Sequence, residues 1–223
     1  PVADFLAIDE EACLGDSINF IDNSSSNTAI WSYDFGDGIG VSVDQNPTYA
    51  YVTPGVFNVT LNVISDMGCV VSIIKDVIVH ELPIADFTIA NHCEGDGNIF
   101  TDLSSVVNSS IALVEYNFND GFTSTDSMVT HIFNGYGLFD VVLTAISTDG
   151  CSNSKVKTAE VFANPIVDFV ASQFCKGKQT NFNNFSFVPD ANIISYNWSF
   201  GLEGSSTLRN TMHTFSSDGV FDV

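Results

Sequence analysis

Apolar and polar residues alternate with a period of two along most of the chain. In residues 31–35 the side chains of Trp, Tyr and Phe alternate with Ser and Asp, and in residues 57–63 Phe, Val and Leu alternate with Asn and Thr. Such alternation is typical of a β-strand with one buried face. Turn-forming Gly, Pro and Asp residues separate the strands at 36–38, 53–55 and 66–68. No segment has a convincing helical hydrophobic stripe, so the pattern predicts an all-β protein.

The same pattern occurs three times. The motif Pro-x-Ala/Val-Asp-Phe begins at residues 1, 83 and 165, an interval of 82 residues. Each copy continues with a Cys-x-Gly motif, an alternating aromatic strand and a Gly-x-Phe motif, and the first two copies end with a Gly-Cys pair. About seven short strands in roughly 80 residues are typical of an immunoglobulin-like antiparallel β-sandwich. We therefore predict three tandem sandwiches: repeat 1 (1–82), repeat 2 (83–164) and repeat 3 (165–223).

Repeat 3 is shorter than the other two. It ends at Val223, the counterpart of Val59, and lacks the last strand and the second cysteine of the unit. A sandwich without that strand exposes an unpaired sheet edge. We expect the polypeptide to continue beyond this segment.

The charge narrows the range of functions. The chain has 27 Asp and Glu residues against 6 Lys and Arg, a formal net charge of −21. Binding to nucleic acid or to an anionic membrane surface depends on clustered Lys and Arg, so the composition argues against both. The apolar fraction of 45%, with 19 Phe, is higher than a disordered acidic segment carries. No apolar run approaches the roughly 18 residues of a membrane span, so we expect a folded protein that does not cross a membrane.

Residues 31–38, 46–51 and 54–61 resemble the signature of the PKD (polycystic kidney disease) domain. They read Trp-Ser-Tyr-Asp-Phe-Gly-Asp-Gly, Asn-Pro-Thr-Tyr-Ala-Tyr and Pro-Gly-Val-Phe-Asn-Val-Thr-Leu. The resemblance covers nearly all of repeat 1, whereas repeat 2 departs from it at Asn117 and Asn119. The Cys-x-Gly and Gly-Cys motifs further resemble PKD arrays in large surface adhesins of gliding bacteria, which are exported by type IX secretion. The resemblance implies tandem sandwiches in an extracellular, cell-surface stalk or adhesin.

The five cysteines allow two pairings. Pairing within repeats gives Cys13–Cys69 and Cys93–Cys151 and leaves Cys175 over. In an immunoglobulin-like topology, however, the two turns concerned lie at opposite ends of the sandwich, about 20 Å apart at roughly 3.3 Å per strand residue. A disulfide needs Cα atoms within about 7 Å. The linkers between repeats, residues 79–83 and 162–165, are short and lack Gly/Ser spacers, so successive repeats must lie close together. We therefore favour the cross-repeat bond Cys13–Cys151, with the pairing within repeats as the alternative.

Asp34, Asp37 and Asp120 are the candidate calcium ligands, because calcium takes several oxygen ligands. The chain has no Asp-x-Asp-x-Asp-Gly loop, and Asp37 and Asp120 each precede a Gly, which also suits a turn, so we favour turn roles over calcium binding. Calcium at the repeat junctions is a further hypothesis, since these carboxylates would otherwise repel: Asp9, Glu10, Glu11, Glu81, Glu94 and Asp96. No other cofactor is expected.

Two serines are candidate glycosylation sites. Ser17 and Ser127 each lie in an Asp-Ser-apolar triplet. Given the resemblance, these triplets fit the O-glycosylation pattern of secreted proteins from the same bacteria.

The remaining residues favour a structural role. The aromatic residues 31–35 could stack on a sugar, but their copies keep the same inward alternation, so we expect core positions. No Ser or Cys is placed with a His and an acid, and the four His residues lack metal-ligand spacing. We therefore predict non-catalytic stalk modules whose partners are neighbouring repeats, together with other surface proteins or glycans. The alternative is a carbohydrate- or protein-binding module of a secreted hydrolase, because PKD domains accompany such enzymes.

Overall fold

The computed structural model describes residues 1–8, 10–25, 27–172 and 175–223. Repeat 1 contains β1 (Phe5–Ala7), β2 (Glu11–Cys13), β3 (Ser17–Asp22), β4 (Thr28–Asp34), β5 (Val41–Ser42), β6 (Thr48–Ala50), β7 (Gly55–Ser65) and β8 (Val70–His80). Repeat 2 contains β9 (Phe87–Ala90), β10 (Asn98–Asp102), β11 (Ile111–Asn117), β12 (Thr123–Ser124), β13 (Met128–His131), β14 (Gly137–Ser147) and β15 (Ser152–Val161). Repeat 3 contains β16 (Phe169–Ala171), β17 (Thr180–Asn184), β18 (Trp198–Ser199), β19 (Ser205–Ser206) and β20 (Thr211–His213). Within these ranges the single helix is one 3-10 turn, Gly201–Glu203, so the all-β prediction is confirmed.

Repeat 1 has two sheets. One has the strand order β1-β3-β6 and the other β2-β8-β7-β4-β5. The longest pairing joins β7 and β8, from Gly55 opposite Val79 to Ile64 opposite Val70. Neighbouring strands are antiparallel except β2 and β8, which are parallel. Repeat 1 therefore has the predicted immunoglobulin-like sandwich with one added parallel strand.

The alternation along the sequence matches the burial of side chains. On β7, Val59, Leu61 and Val63 are fully buried, while Asn58 is exposed. Successive strand residues point to opposite faces, so this pattern places one face of β7 in the core.

The aromatic residues of the predicted strand 31–35 belong to the same core. Tyr33 and Phe35 are fully buried, and the half-buried Trp31 packs against their cluster. Phe5 meets Tyr33 edge-on with ring centroids 5.8 Å apart, and Phe20 lies 5.1 Å from Phe35. Such tilted pairs add about 0.5–1.5 kcal/mol each to the burial of their area. Tyr33 and Phe35 are therefore unavailable as a sugar-stacking platform.

A buried tyrosine hydroxyl in this core makes a hydrogen bond to the backbone. The Tyr51 Oη donates a hydrogen bond to the Phe35 carbonyl oxygen at 2.9 Å. Burial raises the pKa of Tyr51 well above its ordinary value, because the phenolate would lose its hydration. The hydroxyl thus satisfies a backbone acceptor that water does not reach.

The turn after β4 passes close to β7. Gly36 has φ +79, and a Cβ there would lie 2.5 Å from the carbonyl oxygen of Asn58. Gly38, two residues on, has φ +81 but no heavy atom within 4 Å of its would-be Cβ. Gly36 is therefore required both for its backbone conformation and for its lack of a side chain. Gly38 is required for its backbone conformation alone.

Repeat 2 reproduces the sandwich of repeat 1. Its sheets have the orders β13-β10-β9 and β12-β11-β14-β15. On β11, Tyr116 pairs with Leu143 of β14, as Tyr33 of β4 pairs with Leu61 of β7. The Phe87 ring meets Tyr116 edge-on at 5.6 Å. The same residue types thus occupy equivalent positions in the cores of repeats 1 and 2.

Repeat 3 has a smaller core. Its sheets have the orders β16-β17-β20 and β18-β19, and the 3-10 turn stands where repeat 1 has its Gly-Asp-Gly turn. Trp198 is buried and donates from Nε1 to the Leu208 carbonyl oxygen at 2.7 Å. Among the described residues of repeat 3, no strand corresponds to β7 or β8. An open cleft of about 600 Å³ lies beside the aromatic residues Phe169, Phe182 and Phe215.

Contacts divide the chain into two compact units. The first contains residues 1–89, 100–129 and 140–158. The second contains residues 90–99, 130–139 and 159–223. The residues of repeats 1 and 2 that form the candidate site all lie within the first unit.

Candidate functional site at the first repeat junction

A disulfide joins repeat 1 to repeat 2. Cys13 and Cys151 are bonded, with their Cα atoms 5.5 Å apart and a sequence separation of 138. This Cα distance lies in the usual range for disulfides. The favoured cross-repeat pairing is confirmed, and Cys69 and Cys93 are both free, so the pairing within repeats does not form.

The short strand β2 brings Cys13 to the junction. It lies parallel to the end of β8, with Glu11 opposite Ile78 and Cys13 opposite His80. The N–H of Leu14 donates to the His80 carbonyl oxygen at 2.9 Å. Because His80 is the last residue of β8, this pairing holds Cys13 beside the linker to repeat 2. The sequence did not predict β2, since three residues are too few to show alternation.

A tight turn presents Cys151. Gly150 has φ +84, and its N–H donates to the Ser147 carbonyl oxygen at 3.0 Å. The N–H of Ser147 donates to the Cys151 carbonyl oxygen at 2.8 Å, and the N–H of Cys151 donates to the Ser147 Oγ at 3.2 Å. Cys151 is fully buried in the bonded structure.

Polar side chains surround the bond. His80 lies between two carboxylates, with Nε2 3.3 Å from Oε2 of Glu11 and Nδ1 3.6 Å from Oδ2 of Asp149. The Nδ2 of Asn153, at the start of β15, donates to the Pro83 carbonyl oxygen at 2.9 Å. Side chains from both repeats therefore contact the linker.

The clefts at this junction are small. One measures about 200 Å³ and is lined by residues of both repeats, among them Pro54, Glu81 and Asn108. Another, beside the disulfide, measures about 320 Å³ and is lined by Glu11 and Asp149 among other mostly polar residues. Pockets for small molecules usually measure about 300–1,000 Å³ and are mostly apolar. The arrangement suits the joining of two domains better than the binding of a small ligand.

The candidate calcium ligands bind the backbone of their own turns. Asp37 Oδ1 accepts from the N–H of Gly40 at 2.7 Å and of Ile39 at 3.0 Å, and its Oδ2 accepts from the Tyr49 hydroxyl at 2.5 Å. Burial raises the pKa of Asp37, but these hydrogen bonds outweigh it and hold the pKa below its ordinary value. The same hydroxyl–carboxylate bond raises the pKa of Tyr49 to about 12.

The other two candidate calcium ligands, Asp34 and Asp120, also accept hydrogen bonds from the backbone of their own turns. Asp34 Oδ1 accepts from the N–H of Gly36 at 2.9 Å, and Asp120 Oδ1 accepts from the N–H of Phe122 at 3.0 Å. In the part of the chain that the structure describes, no three His, Cys, Asp or Glu residues are grouped as metal ligands. Among the junction carboxylates, Glu11 contacts His80, and Asp9 lies outside the described residues. Calcium at the junctions stays a prediction.

A lysine clamp occurs in both complete repeats and was missed by the sequence reasoning. Lys75 Nζ lies 2.8 Å from Oδ1 of Asp4, donates to the Phe5 carbonyl oxygen and sits 5.2 Å from the centre of the Phe5 ring. The Lys75 ammonium, helped by the side chain of Asn23, holds the pKa of Asp4 below its ordinary value. The clamp fixes the first strand to β8.

Repeat 2 has the same clamp. Lys157 Nζ lies 2.7 Å from Oδ1 of Asp86, donates to the Phe87 carbonyl oxygen and sits 5.3 Å from the Phe87 ring centre. Lys75 and Lys157 are 82 residues apart, which is the repeat interval. This spacing is the feature of the sequence that could have identified the clamp.

The candidate glycosylation sites are on the surface. Ser17, the first residue of β3, and Ser127, just before β13, are both exposed. Their modification stays a prediction.

The comparisons with known proteins agree with the fold. A model of the PKD domain matches residues 1–79, 80–163 and 162–223. The chain belongs to the PKD domain family. No curated protein matches it.

Several solved structures are similar to parts of this PKD chain. The PKD1 domain of Vibrio anguillarum Epp is 20% identical, covers 37% of this chain and 95% of its own length, and has a TM-score of 0.34. The PKD1 domain of the Vibrio cholerae metalloprotease PrtV is 28% identical, covers 36% of this chain and 96% of its own, and has a TM-score of 0.33. Three N-terminal domains of the bacteriophage RB49 outer capsid protein Hoc are 14% identical, cover 94% of this chain and 80% of their own, and have a TM-score of 0.41.

PKD domains are typically extracellular modules of surface or secreted proteins. The Cys13–Cys151 disulfide fits that setting, because disulfides persist in oxidising compartments. No helix among the described residues has the length and apolar character needed to cross a membrane.

Proposed function

We propose that this chain is a non-catalytic spacer, made of consecutive PKD domains at 1–82, 83–164 and 165–223, in a long cell-surface adhesin or filament. Its role is to hold a distal binding part away from the cell. The observation that carries the proposal is the disulfide between Cys13 of repeat 1 and Cys151 of repeat 2.

A spacer needs junctions that resist bending. At the first junction, β2 holds Cys13 against the end of β8, the disulfide joins it to Cys151, and Asn153 binds the linker at Pro83. The disulfide and the 3.6 Å contact between His80 and Asp149 cross between the repeats, so both would have to break or stretch for the two repeats to pivot. The linker itself has no Gly/Ser spacer to absorb such motion.

A spacer under load also needs to resist extension. Tension on the two chain ends passes from Cys13 to Cys151 through the covalent bond, so the stretch between them cannot be drawn out while the bond is intact. Strand pairing in repeats 1 and 2 is held by hydrogen bonds, each worth only about 0.5–1.5 kcal/mol net. The disulfide therefore shields β3 to β14, which lie between the two cysteines, from pulling, while β1 and β15 lie outside the bonded loop and still bear the tension.

The surface charge supports the same role. A net charge of −21 makes copies of the chain repel one another, which limits pairing between exposed sheet edges. The proposed partners are neighbouring repeats, together with other surface proteins or glycans. The resemblance of the cysteine motifs to adhesins of gliding bacteria supports export by type IX secretion.

Within the described residues, nothing favours the accessory binding module over the spacer. Tyr33 and Phe35, which a sugar-stacking platform would use, are fully buried. The same holds for Tyr116 in repeat 2.

Spin-label distance measurements test the stiffness of the junction. Labels are attached through Ser72→Cys and Ser154→Cys, two exposed positions on β8 and β15. The background carries serine at the three free cysteines: Cys69, Cys93 and Cys175. The proposal predicts one narrow distance distribution, which broadens when Cys13→Ser and Cys151→Ser are added. A broad distribution in the bonded chain would overturn the proposal.

A further inference from the structure

We propose that Cys69 and Cys93 are halves of further disulfides of the Cys13–Cys151 kind, each made with an adjacent PKD domain of the same polypeptide. Cys93 would bond the Gly-Cys turn of the domain after it. Cys69 would bond the Cys-x-Gly turn of the domain before it. The inference rests on the proposed spacer function and names the partner of each free cysteine.

The surroundings of Cys93 repeat those of Cys13. Cys93 forms a parallel bridge to Phe162, as Cys13 does to His80. The N–H of Glu94 donates to the Phe162 carbonyl oxygen at 2.8 Å, the counterpart of the 2.9 Å bond from Leu14 to His80. The residues at this site are therefore placed as they are where the disulfide exists.

The turn after Cys93 is also the same. The N–H of Asp96 donates to the Cys93 carbonyl oxygen at 2.9 Å, and the N–H of Asp16 donates to the Cys13 carbonyl oxygen at 2.9 Å. Cys93 is exposed and unbonded, so its sulfur is accessible to a partner.

The surroundings of Cys69 repeat those of Cys151. Gly68 has φ +82, close to the +84 of Gly150. The N–H of Cys69 donates to the Ser65 Oγ at 3.1 Å, and the N–H of Ser65 donates to the Cys69 carbonyl oxygen at 2.9 Å. The corresponding bonds at Cys151 measure 3.2 and 2.8 Å. Both turns therefore present their cysteine in the same way.

The difference between the two turns is what covers them. Cys151 is fully buried, whereas Cys69 is exposed. Two apolar neighbours of Cys69 are exposed as well, Met67 at 84% and Val70 at 61%. Their counterparts in repeat 2 are the polar residues Asp149 and Ser152. An apolar surface around an uncovered cysteine fits a partner domain better than it fits water.

The bond forms by thiol–disulfide exchange. Two thiols lose two protons and two electrons as the S–S bond forms, and an external disulfide of the glutathione-disulfide class takes up both and becomes two thiols. The oxidising setting of extracellular proteins supplies such a disulfide.

The test adds a second copy of residues 1–82, carrying Cys69→Ser, in front of Pro1, so that the native Cys69 is the one thiol at that position. The new junction, Leu82 followed by Pro1, reproduces the native step from Leu82 to Pro83. After oxidative refolding, peptide mapping without reduction should find the added copy of Cys13 bonded to Cys69. Alkylation of Cys69 should fall at least tenfold relative to the unextended chain. The matched control carries Cys13→Ser in the added copy, which should restore alkylation.

The native Cys13–Cys151 bond in the same sample reports folding and oxidation. If that bond is intact and Cys69 is alkylated as fully as in the unextended chain, the inference is wrong. Linkage of Cys69 to Cys175 between copies of the unextended chain would make a second copy the partner and would also overturn it.

A second chain tests Cys93. Residues 142–164 are appended after Val223, the counterpart of Val141, and the appended copy of Cys151 should bond Cys93. A free Cys93 beside an intact Cys13–Cys151 bond would contradict the inference. Neither experiment reads junction stiffness, so the spacer proposal and this inference can fail independently.

Discussion

Removal of the cross-repeat disulfide should destabilise repeats 1 and 2 but leave repeat 3 unchanged. The perturbation is the double variant Cys13→Ser and Cys151→Ser. For the 138-residue separation of the two cysteines, the loss of chain entropy in the unfolded state corresponds to about 5 kcal/mol. Native disulfides usually contribute about 2–5 kcal/mol, so we expect a loss of unfolding free energy in that range.

The two tryptophans let the assay distinguish repeat 1 from repeat 3. Trp31 packs against the core of repeat 1 and Trp198 is buried in repeat 3. Guanidinium unfolding is followed by Trp31 fluorescence in a Trp198→Phe background, and by Trp198 fluorescence in a Trp31→Phe background. The double variant should shift the Trp31 transition to lower denaturant and leave the Trp198 transition in place.

Two controls accompany this experiment. Cys69→Ser removes an exposed free thiol and should change stability by no more than about 0.5 kcal/mol. Reducing agent added to the unaltered chain should reproduce the double variant. The reasoning is refuted if the Trp31 transition is the same in the bonded chain, the reduced chain and the double variant.

Three further predictions concern the sandwiches. Gly36→Ala should lower the free energy of unfolding by about 2–4 kcal/mol through backbone strain and a clash with the backbone of β7. Gly38→Ala should lower it by about 1–2 kcal/mol through strain alone. Equal losses in urea unfolding would contradict this. Tyr51→Phe should cost about 1–2 kcal/mol because a buried carbonyl loses its donor, and an unchanged urea midpoint would count against it. The folded-state pKa of Asp4 is depressed, so its contribution is present above the ordinary pKa and is lost as pH falls through the folded pKa. This contribution should be level from pH 7 to about pH 5 and be lost below that, so urea unfolding should show a smaller drop in stability from about pH 5 to about pH 2 in Lys75→Met than in the unaltered chain; equal drops would refute the clamp.

The sequence predicts the sandwiches well because their signal is local and repeated. Alternation along residues 31–35 and 57–63 identifies both the strands and their buried faces. The repeat interval then places the same strands in repeats 2 and 3. The Cys13–Cys151 bond could be favoured because strand length and disulfide reach are incompatible with pairing inside one repeat.

Other features depend on residues far apart in sequence. The strand β2 is defined by its pairing with β8 and not by its own three residues. The Lys75 clamp joins residues 71 positions apart, and the His80 contact with Asp149 crosses between repeats. Such contacts are set by how the strands pack, and a single sequence shows them only when the repeat interval displays them twice.

Single-molecule pulling on the two chain ends tests the spacer account most directly. The chain carries serine at Cys69, Cys93 and Cys175, so that Cys13–Cys151 is the one bond it can form. The account predicts that the bonded chain extends less at full unfolding than the reduced chain, by roughly 450–500 Å for the 138-residue separation at about 3.3–3.6 Å per residue. Equal extension of the bonded and reduced chains would contradict it.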